Sequence, residues 1–247
     1  MASRLQRSKM NNQPDQPLIG MLCWEKRTIP SALRELSKLP GNATNPLTFP
    51  FPVLYEPILG ANIDTVVKQP SRVLLASMIE ACQRMEKKGI RAITTSCGFN
   101  AFFQKELANS INVPVFASSL LQVPFVHRML RVDRTIGIIT ADKVSLTRAH
   151  LEAVGIDRSI PVHIAGLEET TAFSHSDVDS INPLDIQHFR EELLDIVTVL
   201  LKGAPSTEAI VLECTDLPPF ADDIRRATNL PVFDIVTLIK FVYGSLT

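Results

Sequence analysis

Two cysteines in matching sequence contexts are the residues of this chain that most directly suggest chemistry. Cys97 lies in ITTSCGFN and Cys214 lies in IVLECTDL, 117 positions further on. A thiolate can remove a proton from carbon and a thiol can return one, so two cysteines on opposite sides of one ligand suffice for a two-base proton transfer. The fold must therefore carry these thiols to facing walls of one site.

The same offset of 117 positions recurs along the chain and indicates an internal duplication. It relates Ile19 and Gly20 to Ile136 and Gly137 without a gap. Within positions 92–121, nine of thirty residues are identical to their partners, where residue frequencies give roughly two. Two similar lobes that face each other across a cleft would each offer one thiol.

Length and composition fit two lobes of a compact protein. The chain has 247 residues, of which 45% are hydrophobic and 21% charged, enough for two cores of their own. We expect residues 1–16 to form a disordered tail, residues 17–131 the lobe with Cys97, and residues 132–247 the lobe with Cys214. Residues after Thr237 are expected to pack back on the first lobe.

Charge, hydropathy and cysteine usage exclude several classes of function. A net charge of −1 gives no reason to expect nucleic acid. No apolar run approaches the roughly 20 residues that a membrane-spanning helix needs. Four cysteines without a secretory signal indicate a reducing, cytoplasmic location, and the five histidines are scattered without metal-ligand spacing.

Short β-rich runs alternate with helical patterns in both halves, which predicts an α/β fold with mostly parallel sheets. Long helices are expected at 71–88 and 184–201, and a crossover helix between the lobes at 120–130. Segments 39–52 and 169–183 have no regular pattern and either lie over the cleft or form ordinary surface loops. Strands are predicted at 18–23, 53–58, 92–96, 113–117, 135–140, 162–165, 209–212 and 232–235.

The position of each cysteine, after a strand and before a helix, favours a functional role. Open α/β sheets form their ligand crevices at the carboxyl ends of strands, and a helix N-terminus there lowers a thiol pKa and holds anions. One such cysteine fits a core position equally well, but Cys97 and Cys214 occupy equivalent positions of a duplication. Cys82 lies in a helical apolar stripe and is interpreted as core. Cys23 pairs with Thr140 in the repeat, so at most a small polar contact is expected there.

These residues resemble the aspartate/glutamate racemase superfamily, which also includes hydantoin racemases, maleate isomerases and arylmalonate decarboxylases. The resemblance covers nearly the whole chain after Pro17. It depends on the TTSC run that ends at Cys97, the CTDLP run that begins at Cys214, the Ile-Gly strand starts and the two Asn-x-Pro-Val-Phe segments. Decarboxylases of this group retain only the second cysteine, so the presence of both disfavours that activity.

Two departures from the family pattern bear on the substrate. Amino-acid racemases usually continue with Asn-Thr after the first cysteine, whereas this chain has Gly-Phe-Asn. The first strand leads to Cys23, Trp24 and Glu25 where glutamate racemases have Asp-Ser-Gly. The sequence therefore assigns neither aspartate nor glutamate as substrate, and it identifies no acid that assists Cys97.

The resemblance implies a cofactor-independent racemase or epimerase that moves a proton at the carbon next to a carboxylate or carbonyl of a small anionic substrate. A homo-oligomer is expected from the resemblance alone. Asp216 is expected either to orient the Cys214 thiol or a substrate ammonium, or to cap a helix over 217–227. The predicted catalytic residues are Cys97 and Cys214. The predicted substrate-binding residues are Asp216 and five residues that supply oxyanion donors, namely Ser96, Gly98, Phe99, Asn100 and Thr215.

Three other interpretations fit the same residues. A maleate-type cis–trans isomerase would use one cysteine as a nucleophile that adds to a double bond. A two-lobed protein that binds small acids without chemistry would have the same architecture. A redox pair of the two cysteines is the least supported, because the sequence has no CxxC motif.

Overall fold

The structure is a computed structural model that describes residues 16–174 and 183–247. Most of the predicted tail, and residues 175–182 of the predicted loop 169–183, lie outside the described residues. The strands are β1 (Ile19–Trp24), β2 (Val53–Ile58), β3 (Ala92–Thr95), β4 (Val115–Phe116), β5 (Thr135–Thr140), β6 (Val162–Gly166), β7 (Thr207–Leu212) and β8 (Val232–Phe233). The α-helices are α1 (Ser31–Leu36), α2 (Arg72–Lys87), α3 (Gln104–Asn109), α4 (Gln122–His127), α5 (Arg148–Ala153), α6 (Ile186–Gly203), α7 (Ala221–Thr228) and α8 (Ile235–Leu246).

Two parallel sheets of four strands form the two lobes, with strand orders β2-β1-β3-β4 and β6-β5-β7-β8. The predicted α/β class with two similar lobes is confirmed. Helices flank the sheets because parallel strands need crossover connections. Within the described ranges, no helix is both long and apolar enough to cross a bilayer.

Strand register shows how closely the halves repeat each other. Ile19 pairs with Ala92 in the first sheet, and Ile136 pairs with Ala209 in the second, so both pairs keep the offset of 117. Ile19 also pairs with Val53, whereas Ile136 pairs with Val162. These second-strand partners are 109 positions apart, so the duplication is gapped between the first and second strands of each lobe.

The Ile-Gly strand starts have a packing role. A Cβ atom at Gly20 would lie 2.6 Å from Sδ of Met85, and one at Gly137 would lie 2.8 Å from Cδ2 of Leu200. Either distance is too short for two carbon-sized atoms in contact. Glycine therefore allows α2 and α6 to pack closely on the central strands of their sheets.

Capping side chains set the helix boundaries. The Ser71 hydroxyl accepts a hydrogen bond from the Leu74 amide at the start of α2, and Asp185 caps α6. Both long helices therefore begin close to their predicted positions. Asp234 accepts the Thr237 amide at 2.7 Å and caps α8. Because this cap fixes the start of α8, β8 ends earlier than the predicted strand at 232–235.

The connection between the lobes is shorter than the predicted helix at 120–130. It consists of a 3₁₀ turn at Ser119–Leu121 followed by α4. The Ser119 hydroxyl donates to the Leu212 carbonyl at 2.7 Å, and the Gln122 amide donates to the Asp234 carbonyl at 2.9 Å. The crossover is therefore hydrogen-bonded to the end of β7 and to the start of α8.

Helix α8 packs against the first sheet, although it follows the last strand of the second. Its buried side chains Ile235, Val236 and Ile239 form one core cluster with residues of β1 and β4. Phe51 stacks on Tyr243 of α8, with ring centroids 3.5 Å apart. The C-terminal helix thus joins the two lobes by burying apolar surface on the lobe it does not belong to.

Replacing Ile239 with alanine should destabilise the protein while leaving its fold intact. Ile239 has no exposed surface, and truncation of a buried isoleucine costs about 2–5 kcal/mol in the free energy of unfolding. Urea denaturation would measure the loss. Phe241→Ala is the matched control in the same helix, because Phe241 is 71% exposed. Equal stability of the two variants would contradict this packing.

Candidate active site

A cavity of about 350 Å³ lies between the lobes at the carboxyl ends of β3 and β7 and is lined by both Cys97 and Cys214. Each cysteine follows its strand by two residues, since β3 ends at Thr95 and β7 ends at Leu212. The site therefore lies in the interlobe cleft, as the sequence predicted. Both cysteines are free thiols.

Cys97 precedes a 3₁₀ helix at Gly98–Phe103 and is partly exposed to the cavity. Its pKa is raised well above that of a free thiol, first by burial and then by the carboxyl group of Glu213. The Phe99 amide hydrogen bond acts in the opposite direction. The predicted lowering of the thiol pKa by the helix start is therefore present, but burial outweighs it.

Cys214 is more deeply buried, with 7% of its surface exposed. Its pKa is also raised well above the ordinary value, first by burial, then by Asp216 and next by Glu213. The Asp216 amide lowers it, in the same way that the amide two residues after Cys97 acts on that thiol. Both cysteines are consequently protonated in the protein without ligand near pH 7.

The lobes touch at the residues that flank the two cysteines. The Thr215 hydroxyl donates to the Ser96 carbonyl at 2.5 Å. A Cβ atom at Gly98 would lie 2.2 Å from Oε1 of Glu213 and 2.3 Å from its carbonyl oxygen. A side chain at position 98 is therefore excluded, and glycine brings the backbone of one lobe against the carboxyl group of the other.

These contacts correct part of the predicted oxyanion site. The Thr215 hydroxyl is used between the lobes, and the Ser96 side chain is hydrogen-bonded to Cys23. Neither hydroxyl is therefore a free donor, although both residues line the cavity. Asn100 is buried within the 3₁₀ helix and is not among the residues that line the cavity.

Phe99 lines the cavity and also packs against the opposite lobe. Its ring meets His150 edge to face, with centroids 5.6 Å apart. His150 is buried on α5, and burial lowers the pKa of its imidazole to about 4. A neutral aromatic contact therefore holds the segment that follows Cys97 against the second lobe.

Asp216 lines the cavity and does not cap a helix, because α7 begins only at Ala221 after a 3₁₀ turn. Its carboxylate accepts a hydrogen bond from the Asn42 amide at 2.9 Å. Burial raises the pKa of Asp216 to about 6, and the Asn42 bond opposes the rise. Asn42 belongs to the segment predicted as a loop over 39–52, so that segment contributes to the site.

Glu213 is the acidic residue beside both thiols that the sequence prediction missed, along with the cavity residues Trp24, Lys68 and Phe173. It has no exposed surface, and its Oε2 accepts the Thr140 hydroxyl at 2.8 Å. Oε1 has no hydrogen-bond partner among the described residues. Burial raises the pKa of Glu213 to about 7. The sequence did contain a signal for it, because Glu213 directly follows the apolar run Ala-Ile-Val-Leu and directly precedes Cys214. A glutamate in such an apolar context stands out, since unpaired glutamates are rarely buried.

The remaining two cysteines lie outside the cavity. Cys23 is absent from the cavity lining and bonds to Ser96, which is the repeat counterpart of the Thr140–Glu213 bond. Burial raises its pKa to about 12. Cys82 is fully buried in α2, which confirms its interpretation as core.

The cavity carries more acidic than basic side chains. Lys68 of the first lobe forms an ion pair with Asp142 of the second lobe at 2.7 Å, so its charge is partly neutralised across the cleft. Trp24, Phe99 and Phe173 contribute aromatic surface. The acidic residues that line the cavity are Asp64, Asp142, Glu168, Glu213 and Asp216.

Comparison with known proteins identifies the class of protein. The Asp/Glu/hydantoin racemase family model matches residues 63–239, and this chain belongs to that family. Allantoin racemase from Pseudomonas fluorescens shares the fold, with a TM-score of 0.59 at 15% identity over 92% of this chain and 90% of that one. The family resemblance seen in the sequence is confirmed.

Relatives at higher identity have a different name. A protein of Durusdinium sp. clade D named dimethylsulfoniopropionate lyase is 31% identical over 209 residues, which cover 82% of this chain and 69% of that protein. Dimethylsulfoniopropionate lyase 3 of Emiliania huxleyi is 31% identical over 83% of this chain. This chain spans 56% of the length of that second relative.

Replacing Glu213 with glutamine should change how stability depends on pH. The folded pKa of Glu213, about 7, lies above its ordinary value of 4.5. The contribution of the protonated Glu213 carboxyl group to the free energy of unfolding is therefore fully present below about pH 4.5. It is lost as the pH rises through 7, by about 3 kcal/mol. Relative to the wild type, Glu213→Gln should gain this amount between pH 4.5 and 8.

Urea unfolding at several pH values, followed by circular dichroism, would measure this difference. Glu80→Gln is the matched control, because Glu80 is an exposed residue of α2. Its stability relative to the wild type should stay constant over the same range. If the stability of wild type and of Glu213→Gln depended on pH in the same way, burial would not destabilise the ionised form of Glu213, and the prediction would be wrong.

Proposed function

We propose that this protein is a lyase that removes a proton next to a carboxylate and expels a sulfonium sulfur from the neighbouring carbon as a neutral sulfide. Dimethylsulfoniopropionate is the proposed substrate. The observation that carries the proposal is a cavity with two thiols, aromatic surface and an excess of acidic side chains. The names of the relatives at 31% identity support the same substrate.

The charge of the cavity favours a substrate that bears a cation as well as a carboxylate. A simple dianion would be repelled by Asp216 and by the other acidic side chains. A dimethylsulfonium group has no proton to donate, so it needs negative potential and apolar or aromatic contact rather than specific acceptors. Trp24 and Phe173 offer such contact, since aromatic faces attract cations.

The reaction is a β-elimination that needs no oxidant, metal or organic cofactor. One cysteine thiolate takes the proton from the α carbon, and the electron pair of that C–H bond forms the double bond between the α and β carbons. The bond from the β carbon to sulfur breaks, and its electron pair leaves with the sulfur. The products are acrylate, neutral dimethyl sulfide and a protonated cysteine.

Proton removal next to a carboxylate builds negative charge on the carboxylate oxygens, which must be stabilised. The backbone amide of Gly98 belongs to the 3₁₀ helix that starts beside the cavity, whereas the Phe99 amide is directed at Cys97. Lys68 at the cavity wall is a second source of positive charge. We propose that these groups bind the substrate carboxylate.

A racemase or epimerase is the second candidate. It is favoured by the equivalent positions of Cys97 and Cys214 on the two walls of one cavity, which would allow proton removal on one face and proton return on the other. Both candidates share the first step, the removal of an α proton. They differ in whether a leaving group on the β carbon ends the reaction.

Proton NMR in heavy water separates these candidates. With dimethylsulfoniopropionate, a lyase produces vinyl signals of acrylate together with dimethyl sulfide in the headspace. A racemase instead exchanges the α proton of a chiral amino acid, hydantoin or hydroxy acid for deuterium without elimination. Absence of acrylate at high enzyme concentration, together with exchange of a chiral acid, would overturn the lyase proposal in favour of the racemase.

Single replacement of Cys97 or Cys214 with serine should lower turnover by at least about 100-fold, because a hydroxyl group is a far weaker acid than a thiol and acid–base catalysis contributes this much. Cys82→Ser is the matched control. It removes a buried thiol outside the cavity and should retain activity with some loss of stability. Full activity in both cavity variants would contradict the mechanism.

A further inference from the structure

The contact between Gly98 and Glu213 suggests which acid acts on the first thiol. Glu213 directly precedes Cys214 in the chain, yet its Oε1 lies against the backbone of Gly98, the residue after Cys97. The carboxyl group of the second lobe therefore faces the thiol segment of the first. No acid within the first lobe was identifiable for this role from the sequence.

The two oxygens of this carboxyl group have different environments. Oε2 accepts the Thr140 hydroxyl, while Oε1 is fully buried without a partner among the described residues. An unpaired buried carboxylate oxygen is costly, whereas a protonated one is not charged and can donate. The site thus holds a carboxyl group whose free oxygen is suited to carry a proton.

We infer that Glu213 and Cys97 form one acid–base unit across the lobe boundary, in which Glu213 carries the proton whenever Cys97 is a thiolate. The unit then holds one proton, as an S–H bond on Cys97 or as an O–H bond on Glu213, and keeps a single negative charge. Two negative charges on adjacent buried groups would repel each other strongly. Glu213 is then a positioning residue that acts through Cys97.

A different acidic group has the larger effect on the second thiol. Asp216 is the acidic group that most affects the pKa of Cys214, and Asn42 stabilises its carboxylate. With a pKa of about 6, Asp216 is ionised at neutral pH and keeps Cys214 protonated. Any catalytic role of the Glu213–Cys97 unit rests on the proposed function.

Other charged groups near the unit do not neutralise it. The thiol of Cys214 and the carboxylate of Asp216 line the same cavity from the second lobe, and both Glu213 and Asp216 raise the pKa of Cys97. Among the described residues that line the cavity, Lys68 is the basic one, and it is paired with Asp142. The remaining acidic residues of the cavity wall are Asp64 and Glu168.

The unit has a distinctive dependence on pH. Below the pKa of Glu213, the thiolate fraction of Cys97 rises tenfold per pH unit, as for any thiol. Above about pH 7, the thiolate with protonated Glu213 and the thiol with ionised Glu213 contain the same number of protons. Their ratio is then independent of pH, so the thiolate fraction levels off.

Alkylation of Cys97 by iodoacetamide, resolved by peptide mass spectrometry between pH 6 and 9, tests this inference without any substrate. The wild-type rate should rise and then level off near pH 7. In Glu213→Gln it should keep rising, so that the variant reacts about tenfold faster than wild type at pH 8. Superimposable profiles, or a wild-type rate that rises without a break, would overturn the inference.

A second variant covers the case in which Glu213→Gln does not fold. Thr140→Val removes the hydrogen bond that lowers the pKa of Glu213. The pH at which the alkylation rate levels off, here called the break, should therefore move to higher pH in Thr140→Val, while Thr140→Ser keeps the hydroxyl and should return the break to its wild-type position. An unchanged break in Thr140→Val would count against the unit. If the alkylation rate shows the break but dimethylsulfoniopropionate is not turned over, the proposed function is refuted and the Glu213–Cys97 unit still stands.

Discussion

The close approach of Gly98 to the carboxyl group of Glu213 is the constraint on which the site depends. It brings the carboxyl ends of the two sheets together, and the Thr215 hydroxyl bond to Ser96 holds the same boundary. Thiols and carboxyl groups that meet there are removed from water, and burial is the largest cause of every raised pKa at the site. The chemistry of the cleft thus follows from how closely the lobes pack.

This packing also explains why the lobes are not independent. The crossover bonds to β7 and to the start of α8, and α8 buries its apolar face on the first sheet. A core cluster runs from residues of the first lobe to Ile136 and Val211 of the second. The two halves therefore share buried surface, and the thiols lie at the edge of a core that both lobes form.

A protein of the racemase family that acts as a lyase needs few changes in chemistry. Both reactions begin with removal of an α proton by a thiolate, and the substrate decides whether the electron pair then returns to a proton or expels a group. In the proposed function, the acidic cavity wall favours a substrate with a cationic group. In either proposed reaction the second thiol would provide a proton or a hydrogen bond opposite the base.

The amino-acid sequence by itself determined the duplication, the alternation of strands and helices, and the placement of Cys97 and Cys214 after equivalent strands. Local periodicity and repeated residues are properties of the chain, so these features need no tertiary contact. It also identified Cys82 as core. Only the tertiary structure decided that Asp216 binds Asn42 instead of capping a helix, that the Thr215 hydroxyl is used between the lobes, and that Glu213 faces the opposite lobe. These partners are more than 100 positions apart in the chain, and burial, which sets their pKa values, exists only once the lobes have packed.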